Sequence, residues 1–306
     1  MNIPGPIIER LSLHGAVSQG AELSRYTTYR TGGKADLLME PRSRDAIPGI
    51  IVIAGEGGIP ITVIGGGSNL LVGDGGIEGI VMRLCEDGDR RAEISLLPDG
   101  TVYAEAMASK ECVLSFSVES GLCGIEFMAG IPGCIGGGVM MNAGTTDGSF
   151  ADIVAGADVV TPEGDARTLV LDRSMFSYRK VDIGEGCIVT GARFRLAAAD
   201  DPGRVRERIN DILADRRMKH PLEYPSAGSV FKNPPGHSSW KLIDDAGLKG
   251  KRIGGAAVSE LHTNFIINRG GATSRDILEL IHFIQETVLA RFGVTLQTEI
   301  KMLGVF

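Results

Sequence analysis

The sequence contains no Cys-x-x-Cys pair, although five cysteines occur among its 306 residues. Zinc sites and dithiol redox motifs commonly place two cysteines at this spacing, so both are weakly indicated and free, buried thiols are expected. The chain also lacks an excess of positive charge. Its net charge of −7 argues against nonspecific binding of nucleic acid. We therefore expect neither a metal nor a nucleic acid as a ligand, and an anionic ligand would need a local group of basic residues.

Long apolar stretches are missing as well. No run approaches the ~20 apolar residues of a membrane-spanning helix, and the N-terminus has no basic region followed by a long apolar stretch. The sequence shows no internal repeat and no low-complexity segment. These absences predict a soluble, cytoplasmic protein that does not bind a membrane.

Glycine is the residue that the sequence has in excess. The 43 glycines are about twice the usual share of roughly 7%, and they fall in clusters that predict loops. The densest cluster is FMAGIPGCIGGGVMMNAG at residues 127–144. Glycine costs backbone entropy, so this density predicts a backbone that approaches a ligand closely. Backbone N–H groups exposed in this way suit the phosphates of a nucleotide.

The glycine clusters match neither common nucleotide-binding motif. Pro132 lies where Gly-x-Gly-x-x-Gly needs its tight turn, and no Lys-Ser or Lys-Thr pair closes a Walker A loop. A second cluster at 65–69 follows a predicted strand, but glycines interrupt the helix that a Rossmann unit requires, and Asp87 falls in a charged loop rather than at a strand end. Taken alone, this second cluster is equally consistent with a surface turn. The two clusters together favour one cofactor held by two loops.

The rest of the pattern predicts an α+β protein, because short strands and turns replace a regular βαβ alternation. Strands are predicted at 61–64, 80–82 and 187–196, with hairpins at 92–106 and 153–171. Helices are predicted at 109–121, with Ser109 as the cap, and at 201–220. A third helix is predicted at 273–293, with a capping-box-like pattern from Thr273 to Asp276 and an apolar face of Ile277, Ile281, Ile284, Val288 and Phe292. A final strand at 294–303 would place Val294, Leu296, Ile300 and Met302 on one face.

Several polar residues lie where chemistry is possible. Arg179 has the geometry to bind a carboxylate with two hydrogen bonds, although surface arginines are more common. Ser229 has no adjacent histidine and no Gly-x-Ser-x-Gly elbow, so it is no acyl-transfer nucleophile and an ordinary turn hydroxyl is the simpler interpretation. Glu299 lies on the second face of the final strand, which meets either solvent or a polar cavity. Lys219 ends a charged helix and, with Lys232, is a candidate for a diphosphate.

Nine segments, taken in order, form a more specific pattern than any one of them does. They are TYRTGG at 28–33, IGGGSNLL at 64–71, GIPGCIGGGVMMNAG at 130–144, FSYR at 176–179, RRMKHP at 216–221, PSAGSVFKNP at 225–234, AGLKG at 246–250, HTNFIIN at 262–268 and LQTEIKMLG at 296–304. This ordered set resembles the UDP-N-acetylenolpyruvoylglucosamine reductase (UDP-N-acetylmuramate dehydrogenase) family. The short interval between Arg179 and the strand at 187 resembles the subtype that lacks an inserted lid.

The resemblance implies an FAD-binding fold of the vanillyl-alcohol-oxidase (PCMH) type, with lobes at 1–84 and 85–200 and a C-terminal α+β substrate domain at 201–306. It implies FAD as a noncovalent cofactor, since no histidine that could tether a flavin occurs from residue 21 to 219. The residues expected at the cofactor are Gly65, Gly66, Gly67, Ser68, Asn69, Gly130, Ile131, Pro132, Gly133, Gly136, Gly137, Asn142 and Gly144.

The reaction implied by the resemblance has two halves. NADPH, the co-substrate, reduces the flavin, and the enolpyruvyl group of UDP-N-acetylglucosamine enolpyruvate then receives hydride at C3 to give UDP-N-acetylmuramate. Arg179 matches the arginine that meets the developing negative charge, Glu299 matches the acid beside it, and Ser229 matches the proton donor to C2. The residues expected at the sugar nucleotide are Lys219, Lys232 and Asn233.

The implied biological role is peptidoglycan precursor synthesis, and with it cell wall biogenesis, cell shape and cell division. Two alternatives stay open at this point. One is a different flavin oxidoreductase on the same fold, and the other is a nucleotide-binding protein without enzymatic activity. The second alternative leaves the GSVFKNP segment and Glu299 unexplained.

Overall fold

The computed structural model describes residues 1–86 and 92–306, so Asp87 lies outside the described residues. The chain folds into two compact units. The first unit comprises Met1–Ser18, Leu37–Gly66 and Gly79–Arg216, and the second comprises Gln19–Asp36, Gly67–Glu78 and Arg217–Phe306. Mixed helices and strands in both units confirm the α+β class.

The α-helices, in chain order, are α1 Gly5–Ser12, α2 Ile47–Glu56, α3 Lys110–Glu119, α4 Ile135–Met140, α5 Phe150–Ile153, α6 Pro202–Lys219, α7 Ser239–Asp245 and α8 Ser274–Phe292. The short 3-10 helices are Leu23–Tyr26, Arg44–Ala46, Glu126–Met128 and Arg173–Met175. None of the helices in the described ranges combines the length and the apolar character that crossing a lipid bilayer requires.

The strands are β1 Gly15–Glu22, β2 Lys34–Pro41, β3 Ile61–Ile64, β4 Leu70–Val72, β5 Ile77–Arg83, β6 Ile94–Leu96, β7 Val102–Glu105, β8 Leu122–Cys123, β9 Gly144–Thr145, β10 Gly148–Ser149, β11 Val154–Val160, β12 Ala166–Val170, β13 Phe176–Ser177, β14 Lys180–Val181, β15 Ile188–Phe194, β16 Ala197–Ala198, β17 Ser226–Ser229, β18 Arg252–Ile253, β19 Ala256–Val258, β20 Phe265–Asn268 and β21 Lys301–Leu303.

The larger core of the first unit lies on an antiparallel sheet of order β12-β11-β15-β7-β6. Helix α4 packs against this sheet, and the Phe150 and Phe194 rings meet edge to face in the core with their centroids 6.0 Å apart. The apolar side of α6 also packs against this core through Ile209, Ile212 and Leu213. The predicted hairpins and the predicted strand at 187–196 are therefore confirmed, the strand extending from Ile188 to Phe194.

A second core of the first unit lies on the sheet of order β1-β2-β5-β3. Strand β3 runs parallel to β5, with Ile61 opposite Ile80, as expected for strands joined by a crossover. Helices α1 and α2 pack on each other and cover this core through buried Leu11 and Ile50. The end of β3 leads directly into Gly65 and Gly66.

The core of the second unit forms between α8 and the sheet of order β17-β20-β19-β18. Thr273 and Asp276 form the predicted capping box at the start of α8, and Gly293 ends the helix with φ 68°. The buried residues of the predicted apolar face are Ile277, Ile281, Ile284 and Val288. Phe292 departs from the prediction, because its side chain is 40% exposed at the last turn.

The predicted final strand at 294–303 is wrong in its extent. Only Lys301–Leu303 forms a strand, β21, which pairs in parallel with β4. The preceding segment instead pairs with the chain after β17, through the Phe231–Thr298 bridge. A bend at Ile300 separates these two pairings and interrupts the alternation of buried and exposed side chains along the segment. Leu296 and Ile300 are therefore buried, whereas Met302 is 36% exposed.

Candidate active site

The two glycine clusters meet within the first unit. A Cβ atom added to Gly66 would lie 3.1 Å from the Cα atom of Gly133. Gly133 has φ 97° and Gly130 has φ 70°, conformations that side-chain-bearing residues rarely adopt. The close approach and the two turns explain why glycine occupies these positions.

The glycines of α4 serve two different purposes. A Cβ atom on Gly136 would lie 2.9 Å from the Ala106 Cβ atom, and one on Gly138 would overlap the Phe150 ring. These two glycines are therefore needed for packing inside the protein, which the sequence pattern did not reveal. Gly137 differs from both, because a Cβ atom there would meet nothing within 4 Å. Its surface is open to a ligand.

The first N–H groups of α4 already have partners in the protein. The N–H of Ile135 donates to the Ala108 carbonyl and the N–H of Gly136 to the Ala106 carbonyl, each at 2.9 Å. The carbonyl of Pro132 accepts a 2.7 Å hydrogen bond from the Lys110 ammonium group. These bonds fix the glycine-rich segment on the neighbouring β7–α3 connection.

The remaining residues of the glycine cluster at 65–69 belong to the second unit. Gly67 has φ 66°, and a Cβ atom there would overlap the Tyr26 carbonyl, so glycine is required. The side-chain amide of Asn69 donates to the Glu299 carbonyl at 3.2 Å, and the Asn69 carbonyl accepts from the Lys301 N–H at 3.0 Å. Asn69, predicted at the cofactor, thus lies against the backbone of Glu299.

Ser229 and Glu299 lie on neighbouring, hydrogen-bonded segments of the second unit. Ser229 ends β17 opposite Phe265, after an irregularity at Gly228, which has φ 76°. The next residue, Val230, accepts a 2.7 Å hydrogen bond from the Glu299 N–H. Both Ser229 and Glu299 are half-buried. The structure therefore brings the predicted proton donor and the predicted acid onto paired segments, which their separation in the sequence did not require.

Asn264 is a buried residue that the sequence analysis did not single out. Its side-chain amide exchanges two hydrogen bonds, both of 2.9 Å, with the backbone N–H and carbonyl of Phe231. Its own carbonyl accepts the N–H of Val230 at 2.8 Å. Asn264 thus fixes the chain immediately after Ser229. The available signal was an asparagine beside the apolar run at 265–267, where a buried amide needs hydrogen-bond partners.

Arg179 occupies the two-residue turn of the β13–β14 hairpin with φ 60°. Its guanidinium group donates to the Gly144 carbonyl at 3.4 Å and lies 5.2 Å from the centre of the Tyr178 ring. Asn142 has φ 39°, donates to the Ser177 carbonyl and accepts from the Ala151 N–H, both at 3.0 Å. Backbone strain at two non-glycine residues is typical of functional sites.

The residues predicted to bind the sugar nucleotide are located as follows. Lys219 is exposed at the end of α6, and Lys232 is half-buried with its backbone N–H bonded to the Gln297 carbonyl at 2.9 Å. Asn233 is exposed, and its amide oxygen accepts the Ser239 N–H at 2.9 Å. Asn233 therefore also caps the start of α7.

A cluster of aromatic rings covers the strand residue opposite Ser229. The Phe265 ring centre lies 4.9 Å from that of His262 and 5.0 Å from that of His220. His262 is half-buried, and this burial lowers the pKa of its imidazole although a backbone hydrogen bond raises it. Neither histidine was predicted to contribute to the site. The only sequence evidence for a role of these histidines in the site was that they lie in the RRMKHP and HTNFIIN segments.

Comparison with known proteins adds family evidence to this geometry. A model of an FAD binding domain matches residues 35–170, and a model of the C-terminal domain of UDP-N-acetylenolpyruvoylglucosamine reductase matches residues 220–303. The reductase of that name from Pediococcus pentosaceus is 43% identical over 92% of this chain and 92% of its own length. The one from Latilactobacillus sakei subsp. sakei is 44% identical over 94% and 93%, respectively.

A solved structure agrees over the full fold. The crystal structure of UDP-N-acetylenolpyruvylglucosamine reductase from Thermus caldophilus superposes with a TM-score of 0.77 at 31% identity, covering 94% of this chain and 98% of that one. The protein is therefore an FAD-dependent oxidoreductase. More specifically, the chain belongs to the UDP-N-acetylenolpyruvoylglucosamine reductase family.

Proposed function

We propose that this protein uses NADPH and noncovalently bound FAD to reduce UDP-N-acetylglucosamine enolpyruvate to UDP-N-acetylmuramate, a step of peptidoglycan precursor synthesis in the cytoplasm. Through this product it serves cell wall biogenesis, cell shape and cell division. The observation that carries the proposal is the pairing of the Ser229 and Glu299 segments in a chain of this family. A proton donor and an acid on adjacent segments suit the protonation of an enolate.

The residues of the glycine clusters fit a flavin nucleotide. Gly137 leaves open space where any side chain would project, and Gly66 approaches Gly133 so closely that the two loops form one surface of the first unit. Gly136 contributes shape rather than a hydrogen bond, since its N–H is donated to Ala106. When bound, FAD supplies the two-electron redox chemistry. The residues proposed to hold it are those named from the resemblance: 65–69, 130–133, 136, 137, 142 and 144.

Arg179 is proposed to meet the negative charge that develops on the substrate carboxylate and C2. A guanidinium group suits this role because it stays charged and donates several hydrogen bonds from a fixed plane. The hairpin turn and the hydrogen bond to Gly144 limit the positions that the group can take. Asn142 supports the same turn through Ser177, so we propose that it positions Arg179 in addition to contacting the cofactor.

Ser229 is proposed to give a proton to C2, with Glu299 helping as a protonated or hydrogen-bond-donating acid. A bare carboxylate would repel the enolate, so the protonated form is the useful one. The bonds from Asn264 and Glu299 hold the backbone on the C-terminal side of Ser229. They therefore fix the backbone from which the Ser229 side chain projects. Lys219, Lys232 and Asn233 are proposed to bind the sugar nucleotide.

The proposal is tested with purified protein under anaerobic conditions. NADPH should bleach the yellow colour of the flavoprotein, and UDP-N-acetylglucosamine enolpyruvate added afterwards should restore it with formation of UDP-N-acetylmuramate. Bleaching without restoration would contradict the proposed substrate and favour a different flavin oxidoreductase. Protein that shows no flavin spectrum even after addition of FAD would contradict the cofactor.

A further inference from the structure

Two cysteine sulfur atoms lie in contact in the first unit, one of them within the glycine-rich segment at 127–144. The Sγ atoms of Cys134 and Cys85 lie 2.8 Å apart. Disulfide formation requires a sulfur–sulfur distance of about 2.05 Å, so the two atoms need to approach by less than an ångström. Cys134 is 2% exposed and Cys85 is half-buried. Cys85 is therefore the more exposed member of the pair.

A buried lysine accompanies the two thiols. Lys110 is 5% exposed, and its ammonium group is held by the Pro132 carbonyl at 2.7 Å. Burial lowers the pKa of Lys110 to about 8, while the Cys134 and Cys85 sulfurs act in the opposite direction. A positive charge beside a thiol favours the thiolate, the form that reacts as a nucleophile.

Burial sets different roles for the two sulfurs. The hydrogen bond with Cys85 and burial both raise the pKa of the Cys134 thiol. Cys85 is the less buried of the two residues and is therefore the one closer to an oxidant in solution. Cys85 is thus suited to attack an oxidant, and Cys134 is suited to keep its proton until a second step.

We propose that Cys85 and Cys134 form a peroxide-sensitive dithiol site, in which Cys85 attacks hydrogen peroxide and Cys134 resolves the product to a disulfide. In the first step a sulfur–oxygen bond forms at Cys85, the oxygen–oxygen bond breaks, and the released hydroxide takes the thiol proton to become water. In the second step Cys134 attacks the Cys85 sulfenic acid, the sulfur–oxygen bond breaks, and a second water leaves with the Cys134 proton. Each sulfur is oxidised by one electron, and the peroxide is reduced to two waters.

The site lies against the proposed cofactor loops. A Cβ atom on Gly66 would be 3.8 Å from each of the two sulfurs, and Cys134 follows Gly133 directly. Contraction of the sulfur pair should therefore move both loops and lower the affinity for FAD. This consequence rests on the proposed function, whereas formation of the disulfide does not.

The test treats the full-length flavoprotein with a small excess of hydrogen peroxide, blocks remaining thiols with iodoacetamide and maps the peptides by mass spectrometry. We expect a cross-linked pair of peptides that contains Cys85 and Cys134 and is lighter by two hydrogen atoms, with reversal by dithiothreitol. Exposed Cys112 is the internal control and should remain alkylated at this dose. Separate alkylation of Cys85 and Cys134, or their oxidation without a cross-link, would overturn the proposal.

Variants assign the order of the steps. With Cys134→Ser, a sulfenic acid should accumulate on Cys85 and be trapped by dimedone, whereas Cys85→Ser should give no adduct on Cys134. Adducts of equal yield on both residues would contradict the assigned order. Lys110→Met should slow disulfide formation about tenfold, the effect of one pKa unit on the thiolate fraction. An unchanged rate would remove Lys110 from the site.

A measurement of flavin release separates disulfide formation from its proposed effect on FAD binding. Flavin fluorescence of the oxidised protein should rise as FAD is released, and dithiothreitol should reverse the rise. A disulfide found by mass spectrometry without flavin release would leave the thiol chemistry established and contradict its coupling to the cofactor loops. Failure of the proposed flavin function would not change the peptide result.

Discussion

Gly137 and Gly138 are neighbours in α4, yet their surroundings differ completely. Gly138 faces the Phe150 ring inside the core, while Gly137 faces open space. The sequence alone treats both as part of one glycine-rich run. Only the packing shows which glycine the protein needs for its own core and which one is available to a ligand.

This difference gives the first prediction. Gly138→Ala should lower the free energy of unfolding by about 1–3 kcal/mol through overpacking against Phe150. Gly137→Ala should raise the stability of the flavin-free protein by about 0.5–1 kcal/mol, because alanine favours the helix. Urea unfolding of both variants checks these values.

The Gly137→Ala variant also tests the cofactor site. Gly137→Ala should weaken FAD binding about tenfold or more, since the methyl group would occupy space proposed for the cofactor. Titration of the flavin-free protein with FAD, followed by flavin fluorescence, measures this. Wild-type affinity in Gly137→Ala would exclude Gly137 from contact with the cofactor.

His262 gives a pH prediction at the same scale. Burial lowers its pKa in the folded protein, whereas the unfolded chain titrates near pH 6.5. Below about pH 6.5 the unfolded chain binds a proton that the folded protein does not, so His262 reduces stability as the pH falls towards the folded-state pKa. Above the pKa of the unfolded chain, His262 is neutral in both states and this loss of stability does not occur. The variant His262→Gln should therefore lose less stability than the wild type between about pH 7.5 and about pH 5.5. An identical loss in both proteins, measured by urea unfolding, would show that His262 does not titrate in this way.

At the scale of elements, the sequence predicted the helices and hairpins well, because caps, turns and apolar spacing are local signals. Ser109 caps α3 through the Cys112 N–H at 3.1 Å, and Thr273 caps α8, both as predicted. The final strand was wrong because its alternation continues across the bend at Ile300. Periodicity does not reveal that the segments on the two sides of this bend pair with different partners.

The two hydrogen bonds between the Asn264 side chain and the backbone of Phe231 give the prediction at this scale. Asn264→Ala should lower the free energy of unfolding by about 2–4 kcal/mol, because it leaves the buried N–H and carbonyl of Phe231 without these partners. Exposed Asn233 makes one hydrogen bond to Ser239, and Asn233→Ala should cost about 1 kcal/mol. Equal losses of unfolding free energy in the two variants, compared by urea unfolding, would show that the buried Asn264 bonds stabilise the protein no more than the exposed Asn233 bond.

At the scale of the whole molecule, the family and the α+β class followed from the sequence, whereas the composition of the compact units did not. Residues 19–36 and 67–78 belong to the same unit as the C-terminal segment. The glycine cluster at 65–69 is divided between the units, with Gly66 in one and Gly67 in the other. Contacts between distant segments leave no periodic signal, so a sequence read in order suggests consecutive domains. The pairing of the Ser229 and Glu299 segments is a contact of this kind.

The central claim is that Ser229 acts as the proton donor in the second half of a flavin reductase reaction. Rapid-mixing measurement of the two halves in Ser229→Ala, with Ser226→Ala on the same strand as the control, tests it most directly. Bleaching by NADPH should stay within about twofold of the wild-type rate, and recovery of the colour with substrate should slow about 10²-fold or more, as expected for loss of a general acid. The control should change neither rate. Equal slowing of both halves by Ser229→Ala, or no slowing of either, would contradict the account.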